Sequence, residues 1–109
     1  MYKRQTIHGH EGTDLINGGG GKDILYGGLD NDTIYGSLGN DTISGGSGND
    51  TIYGQEEDDT IDGGLGDDKI YGGSGHDTIS GGDGNDILEL SDGNDIVTCL
   101  LYTSPSPRD

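Results

Sequence analysis

Aspartate recurs at every ninth residue through most of this chain, and carboxylates at a fixed spacing are candidate metal ligands. The ten members of the series are Asp14, Asp23, Asp32, Asp41, Asp50, Asp59, Asp68, Asp77, Asp86 and Asp95. A large aliphatic residue stands two positions after each of them, without exception: Ile16, Leu25, Ile34, Ile43, Ile52, Ile61, Ile70, Ile79, Leu88 and Val97. A disordered acidic linker would not keep this register, so the pattern predicts a repeating fold.

Both series belong to a nine-residue unit of the form GGxGxDxUx, where U is a large aliphatic residue. Ten units follow one another without insertion from Gly9 to Thr98, and Gly45–Tyr53 is the clearest copy. Glycine at the first, second and fourth positions permits positive φ angles that turn carbonyl groups inward. Backbone carbonyls are therefore candidate ligands beside the aspartates, above all around Gly45, Gly46, Gly48, Gly63, Gly64, Gly66, Gly81, Gly82 and Gly84.

Each unit pairs a six-residue turn with a three-residue strand, such as Thr51–Tyr53, whose central side chain faces inward. Hairpin turns of two residues are not available, so the chain must coil, with units eighteen residues apart stacked in one parallel sheet. One inner column then contains Ile34, Ile52, Ile70 and Leu88, and the other contains Ile43, Ile61, Ile79 and Val97.

Two rows of side chains are expected on the outside of these sheets. Tyr35, Tyr53 and Tyr71 fall in one row, and Thr42, Thr60 and Thr78 fall in another. We interpret both rows as support for the sheets, because stacked side chains on a sheet surface commonly serve cross-strand packing. A binding role for the tyrosine row stays open.

Stacked turns bring aspartates eighteen residues apart to strand spacing, about 5 Å. Two carboxylates at that distance repel by about 3 kcal/mol at an effective dielectric constant near 20. A divalent cation between the turns reverses the sign. Calcium accepts six to eight oxygens in flexible geometry, carbonyls included, whereas magnesium is stricter and dehydrates reluctantly.

The repeat closely resembles the nonapeptide of the repeats-in-toxin (RTX) family, the hemolysin-type calcium-binding repeat, from Gly9 to Thr98. The resemblance implies an all-β, right-handed parallel β-roll (a β-helix solenoid) with Ca²⁺ bound between stacked turns. The implied pairs are Asp14/Asp32, Asp32/Asp50, Asp50/Asp68, Asp68/Asp86, Asp23/Asp41, Asp41/Asp59, Asp59/Asp77 and Asp77/Asp95. Eight ions are therefore the ceiling.

Several units depart from the family pattern, and their turns are expected to be poorer sites. Asp30 and Glu57 replace the fourth glycine, His10, Ser37 and Gln55 replace the second, and Leu90 replaces the first. A residue with a side chain costs about 1–2 kcal/mol in the left-handed conformation. Asp50/Asp68 and Asp68/Asp86, whose turns keep their glycines, are expected to be the best sites.

Composition limits what the chain can do. Its formal charge of −16 opposes binding to nucleic-acid phosphates, and no run is long enough to span a membrane. Only 27% of the residues are hydrophobic, too few to offset the entropy of ordering the chain, so we expect it to stay unfolded without calcium. Every recurring carboxylate is assigned to a metal turn, so no enzymatic activity is expected.

The two ends share nothing with the repeat. Residues 1–5 and 99–109 resemble the translation of a sequencing-library adaptor in opposite orientations, and we interpret them as such, which leaves residues 6–98 as the β-roll. The protein is then expected to continue beyond both ends, so its flanking domains are missing here.

The family resemblance implies a larger bacterial protein that is secreted unfolded, through type I secretion, and folds in extracellular calcium. That protein could be a toxin or adhesin, or a secreted hydrolase such as a protease or lipase with this segment as an accessory domain. An ice-binding or adhesive extracellular solenoid is a further alternative. The sequence does not choose among them.

Overall fold

The computed structural model describes residues 5–89, 93 and 95–98. The adaptor interpretation of residues 1–5 and 99–109 falls outside this part of the chain except at Gln5, and the Leu90 turn falls outside it as well. No described helix is long and apolar enough to cross a membrane.

Strands of three residues recur at every ninth position. They are β1 (Thr6–His8), β2 (Leu15–Asn17), β3 (Ile24–Tyr26), β4 (Thr33–Tyr35), β5 (Thr42–Ser44), β6 (Thr51–Tyr53), β7 (Thr60–Asp62), β8 (Lys69–Tyr71), β9 (Thr78–Ser80), β10 (Ile87–Glu89) and β11 (Ile96–Thr98). Odd-numbered strands form a six-stranded sheet, and even-numbered strands form a five-stranded sheet. All pairings are parallel, which confirms the predicted all-β solenoid, with about five coils.

The register is eighteen residues throughout, as the spacing predicts. Ile34 pairs with Ile52, and Ile52 with Ile70, in the five-stranded sheet. The buried core consists of one aliphatic side chain from each of eight strands: Ile16, Leu25, Ile34, Ile43, Ile52, Ile61, Ile70 and Ile79. Leu88 is only partly buried and Val97 is 39% exposed, because β10 and β11 are the last described strands of their sheets.

One strand lies before the first predicted unit. Strand β1 pairs in register with β3, and Ile7 packs against the core. The count from the sequence begins at Gly9 because no glycine turn precedes Thr6. A strand at this position needs only a pairing edge and an inward aliphatic side chain, and Ile7 provides the latter.

The predicted outer rows are present. The ring centroids of Tyr35 and Tyr53 lie 4.9 Å apart, and those of Tyr53 and Tyr71 lie 4.8 Å apart, with interplanar angles of 7° and 8°. Thr42, Thr60 and Thr78 occupy paired positions on the other sheet. The stacked tyrosines therefore add aromatic contacts along the axis of the five-stranded sheet.

Candidate metal centre

The turns of the coil form two rows, one along each edge of the two sheets. The first row contains the turns at residues 9–14, 27–32, 45–50, 63–68 and 81–86, which lead into the five-stranded sheet. The second row contains the fully described turns at residues 18–23, 36–41, 54–59 and 72–77, which lead into the six-stranded sheet. Each of these turns ends in a repeat aspartate, so each row carries one line of carboxylates.

One oxygen of each stacked carboxylate is held by the backbone. The Asp50 N–H donates to Oδ1 of Asp68 at 2.8 Å, and the Asp59 N–H donates to Oδ1 of Asp77 at 2.8 Å. The same bond, at 2.8 or 2.9 Å, joins Asp14 to Asp32, Asp23 to Asp41, Asp32 to Asp50, Asp41 to Asp59, Asp68 to Asp86 and Asp77 to Asp95. The structure therefore brings together both members of all eight predicted pairs.

The second oxygen of most of these carboxylates lacks a hydrogen-bond partner. Within the described residues, Oδ2 is buried and accepts no hydrogen bond in Asp14, Asp23, Asp32, Asp41, Asp50, Asp59, Asp68 and Asp77. A buried polar atom without a partner costs free energy, and a buried charge costs more unless it is paired or binds a metal. These eight oxygen atoms are therefore candidate ligands of a cation.

A carbonyl oxygen from the next coil borders the same space. A Cβ atom at Gly45 would lie 2.6 Å from Oδ2 of Asp50 and 2.7 Å from the carbonyl oxygen of Gly63. At Gly63 the corresponding distances are 2.6 Å to Oδ2 of Asp68 and 2.8 Å to the carbonyl oxygen of Gly81. The first glycine of the unit thus keeps open a gap between a carboxylate and a carbonyl oxygen, the donors that calcium prefers.

Backbone oxygens must supply much of any coordination shell. Among the described residues, no group of three or more Asp, Glu, His or Cys side chains is arranged to hold a metal. Of the glycine carbonyls predicted as ligands, those of Gly63 and Gly81 border the carboxylates of Asp50 and Asp68. The second and fourth glycines take the expected positive φ, for example 91° at Gly46 and 104° at Gly48.

Burial shifts the carboxylates toward their protonated form. Burial, the largest cause, and repulsion from neighbouring carboxylates together raise the pKa of Asp50 to about 7 and that of Asp59 to about 8. The donated backbone N–H acts in the opposite direction. The same balance raises the pKa of Asp41 and Asp68 to about 7 and of Asp77 to about 6, and raises those of Asp32 and Asp86. Burial is the largest cause, whereas the sequence analysis considered only repulsion between stacked carboxylates.

The structure places the predicted exceptions as expected. The residues His10, Asp30, Ser37, Gln55 and Glu57 all have positive φ, between 72° and 77°. Each keeps the turn in its glycine-like shape at the cost of left-handed strain. These turns are strained rather than rebuilt.

The end members of the two carboxylate lines differ from the rest. Asp86 and Asp95 are only half-buried, although each accepts its backbone bond through Oδ1. Oδ1 of Asp23 also accepts a bond from the Gln5 N–H at 2.9 Å, which the sequence analysis did not anticipate. Gln5 stands nine residues before Asp14 and so occupies the repeat position of an aspartate.

The sequence analysis missed a second side-chain ladder at the fifth position of the unit. Oδ1 of Asn31 accepts the Asn49 N–H at 2.6 Å, and Oδ1 of Asn49 accepts the Asp67 N–H at 2.8 Å. In the second row Asn40 accepts the Asp58 N–H, and Asp58 accepts the His76 N–H. The recurrence of Asn or Asp just before the repeat aspartate is the signal that could have revealed it.

The comparison with known proteins agrees with this geometry. The family model of the RTX calcium-binding nonapeptide repeat, which contains four copies of the repeat, matches residues 4–34, 35–70 and 62–97. No curated protein and no solved structure matches the chain. The matched residues span most of the 109-residue sequence and contain every stacked aspartate pair. The chain belongs to the RTX calcium-binding nonapeptide repeat family.

Proposed function

We propose that this segment binds calcium between consecutive turns of each row and that calcium binding drives its folding. The ligands are the ten repeat aspartates together with carbonyl oxygens of the glycine turns. The observation that carries the proposal is the set of eight buried Oδ2 atoms without a hydrogen-bond partner in the described residues. Bound calcium supplies the positive charge that these oxygens otherwise lack.

The number of proposed sites follows from the same atoms. Each unpartnered oxygen belongs to the earlier member of one of the eight pairs, so each gap between stacked aspartates would hold one ion. Residues 6–98 carry two lysines against twenty acidic residues. Eight calcium ions would therefore bring the segment close to neutrality, which favours full loading.

Folding would be coupled to binding because the fold alone leaves these charges uncompensated. The buried core is a single line of aliphatic side chains along each sheet. Such a core is small for the length of chain that it must order. Calcium binds the stacked turns and not the unfolded chain, so its binding free energy becomes folding free energy.

The wider setting that we propose is a secreted bacterial protein of which this segment is one part. Calcium is scarce in the bacterial cytosol and plentiful outside, so a calcium-dependent fold would form after export. The family membership supports this proposal. A toxin, an adhesin and an exported hydrolase are all compatible with such a segment.

The experiment is a calcium titration of the full chain followed by far-ultraviolet circular dichroism, with magnesium as the control and titration calorimetry to count ions. We expect a cooperative change from coil to sheet with calcium, no equivalent change with magnesium, and no more than eight ions bound. A chain that is already sheet in excess chelator, or that responds equally to magnesium, would contradict the proposal.

A further inference from the structure

The two rows of turns differ in the residues that make the turn. From residue 45 to residue 86, every first-row turn has glycine at its first, second and fourth positions. The second row has Ser37 at the second position of one turn, and Gln55 and Glu57 at the second and fourth positions of the next. The turn at residues 54–59 is therefore the only fully described turn with two such replacements.

Glu57 shifts the backbone angle of its turn while keeping it in the left-handed region. Glu57 has φ of 76°, whereas Gly39 and Gly75, which occupy the same position in the coils on either side, have φ of 99° and 103°. A side chain at this position also faces the neighbouring coil. A Cβ atom at Gly75 would lie 2.6 Å from the carbonyl carbon of Glu57, so by the same stacking the Cβ of Glu57 is directed at the turn of residues 36–41.

The second row also forms fewer stacking hydrogen bonds than the first, whichever of its positions are replaced. In the first row, the third-position N–H donates to the second-position carbonyl of the previous coil at all four junctions. The bonds are Leu29 to His10 at 2.8 Å, Ser47 to Gly28 at 3.0 Å, Leu65 to Gly46 at 2.9 Å and Asp83 to Gly64 at 3.1 Å. Among the three fully described junctions of the second row, only Glu56 to Ser37 forms this bond, at 3.3 Å.

We propose that the two rows bind calcium in two steps, the first row at the lower concentration and the second row later, delayed by the turn at residues 54–59. This inference rests on the proposed calcium sites. An ion between two turns requires both turns to adopt their ordered shape. Where glycine is replaced, ordering must also place a side chain in the left-handed conformation against the next coil.

The test compares a repaired second row with a damaged first row. In the full chain, the double variant Gln55→Gly/Glu57→Gly restores the consensus, and Gly46→Gln/Gly48→Glu introduces the same defects at the equivalent first-row positions. Calorimetry reports the calcium midpoints. Amide signals of Gly64 and Gly82 report the first row, and those of Gly39 and Gly75 report the second.

In the unmodified chain we expect the first-row signals to reach their bound positions at lower calcium than the second-row signals. The repair should lower the second midpoint by about tenfold, which corresponds to about 1.4 kcal/mol, and merge the two steps. The first-row double variant should raise the first midpoint by a similar factor.

A charge control separates turn geometry from electrostatics. Glu57→Gln keeps the side chain and removes its charge, so it should not lower the second midpoint, since loss of a nearby anion can only weaken attraction to calcium. A midpoint that falls as far with Glu57→Gln as with the repair would overturn the inference.

Simultaneous movement of all four glycine signals, or a repair without effect, would also overturn it while leaving the calcium sites intact. Absence of calcium binding would instead reject the proposed function itself.

Discussion

The two rows of turns carry the same repeat aspartate in turns of different composition. Both rows place an aspartate at the end of a six-residue turn, and in both its Oδ1 accepts the N–H of the aspartate one coil earlier. They differ at positions without proposed ligand side chains: the first row keeps glycine from residue 45 to residue 86, after His10 and Asp30 in its earlier turns, whereas the second row carries Ser37, Gln55 and Glu57. In the proposed sites the aspartates determine where calcium binds, and the glycines determine how closely the turns stack.

Acidity should have the largest effect, because it acts on both rows at once. Folded-state pKa values are raised from 3.8 to about 7 for Asp50 and to about 8 for Asp59. Without calcium, their contribution to stability is fully present below pH 3.8 and is lost as the pH rises through about 7 and 8. Calcium binds the charged form of these carboxylates. The calcium concentration at the folding midpoint should therefore fall as the pH rises through the same range. Circular dichroism titrations from pH 5 to about 8 check this prediction, and a midpoint independent of pH would contradict it.

Removing one carboxylate from each row should separate the two lines of sites. Asp68→Asn alters two first-row gaps, and Asp59→Asn alters two second-row gaps. Each variant should raise the calcium midpoint of its own row by at least tenfold, since even outer partners of metal ligands are worth that much. Calorimetry with the glycine signals of both rows measures the effect. Equal weakening of both rows by either variant would show that the rows are not separable.

Truncation of a core isoleucine should destabilise the two sheets equally. Any difference between the rows would then come from their turns. Ile52 and Ile61 are both essentially fully buried, at 0% and 1% exposure, and lie in opposite sheets. Ile52→Ala and Ile61→Ala should each destabilise the calcium-loaded fold by about 2–5 kcal/mol. Urea unfolding in excess calcium measures both. A marked difference between them would mean that the two rows differ through their sheets and not through their turns.

The smallest expected effect concerns the aromatic stack. Tyr53 stacks on both Tyr35 and Tyr71, whereas Tyr26 of the other sheet stacks, among the described residues, only on His8. Tyr53→Ala should cost about 1–3 kcal/mol from two aromatic contacts, and Tyr26→Ala about half as much. The same urea experiment compares them. Equal losses would indicate that the tyrosine row adds nothing beyond the burial of single rings.

The sequence predicts most of this fold because one strict period determines both the register and the core. The spacing of Asp50 and Asp68, or of Ile34 and Ile52, is enough to place them on adjacent coils. Strand β1 was missed because its only repeat signal is Ile7. The sequence also does not show that the Oδ1 atom of each stacked aspartate accepts a hydrogen bond from a backbone N–H. That bond depends on how one coil is displaced relative to the next.

The difference between the two rows was only partly predictable. Replacement of glycine by Gln55 and Glu57 marks a poorer turn, and positive φ at both residues confirms the strain. The lost and lengthened hydrogen bonds of the second row are a property of neighbouring coils together. A single unit read in isolation does not contain that information.

Within the described residues, each strand pairs only with the strand one coil before it, the strand one coil after it, or both. Contacts that reach only the nearest neighbour make the molecule behave as a one-dimensional chain of links between adjacent coils. When the solenoid is pulled along its axis, its coils should unfold one at a time from an end. Its mechanical extension then measures directly how many coils remain closed.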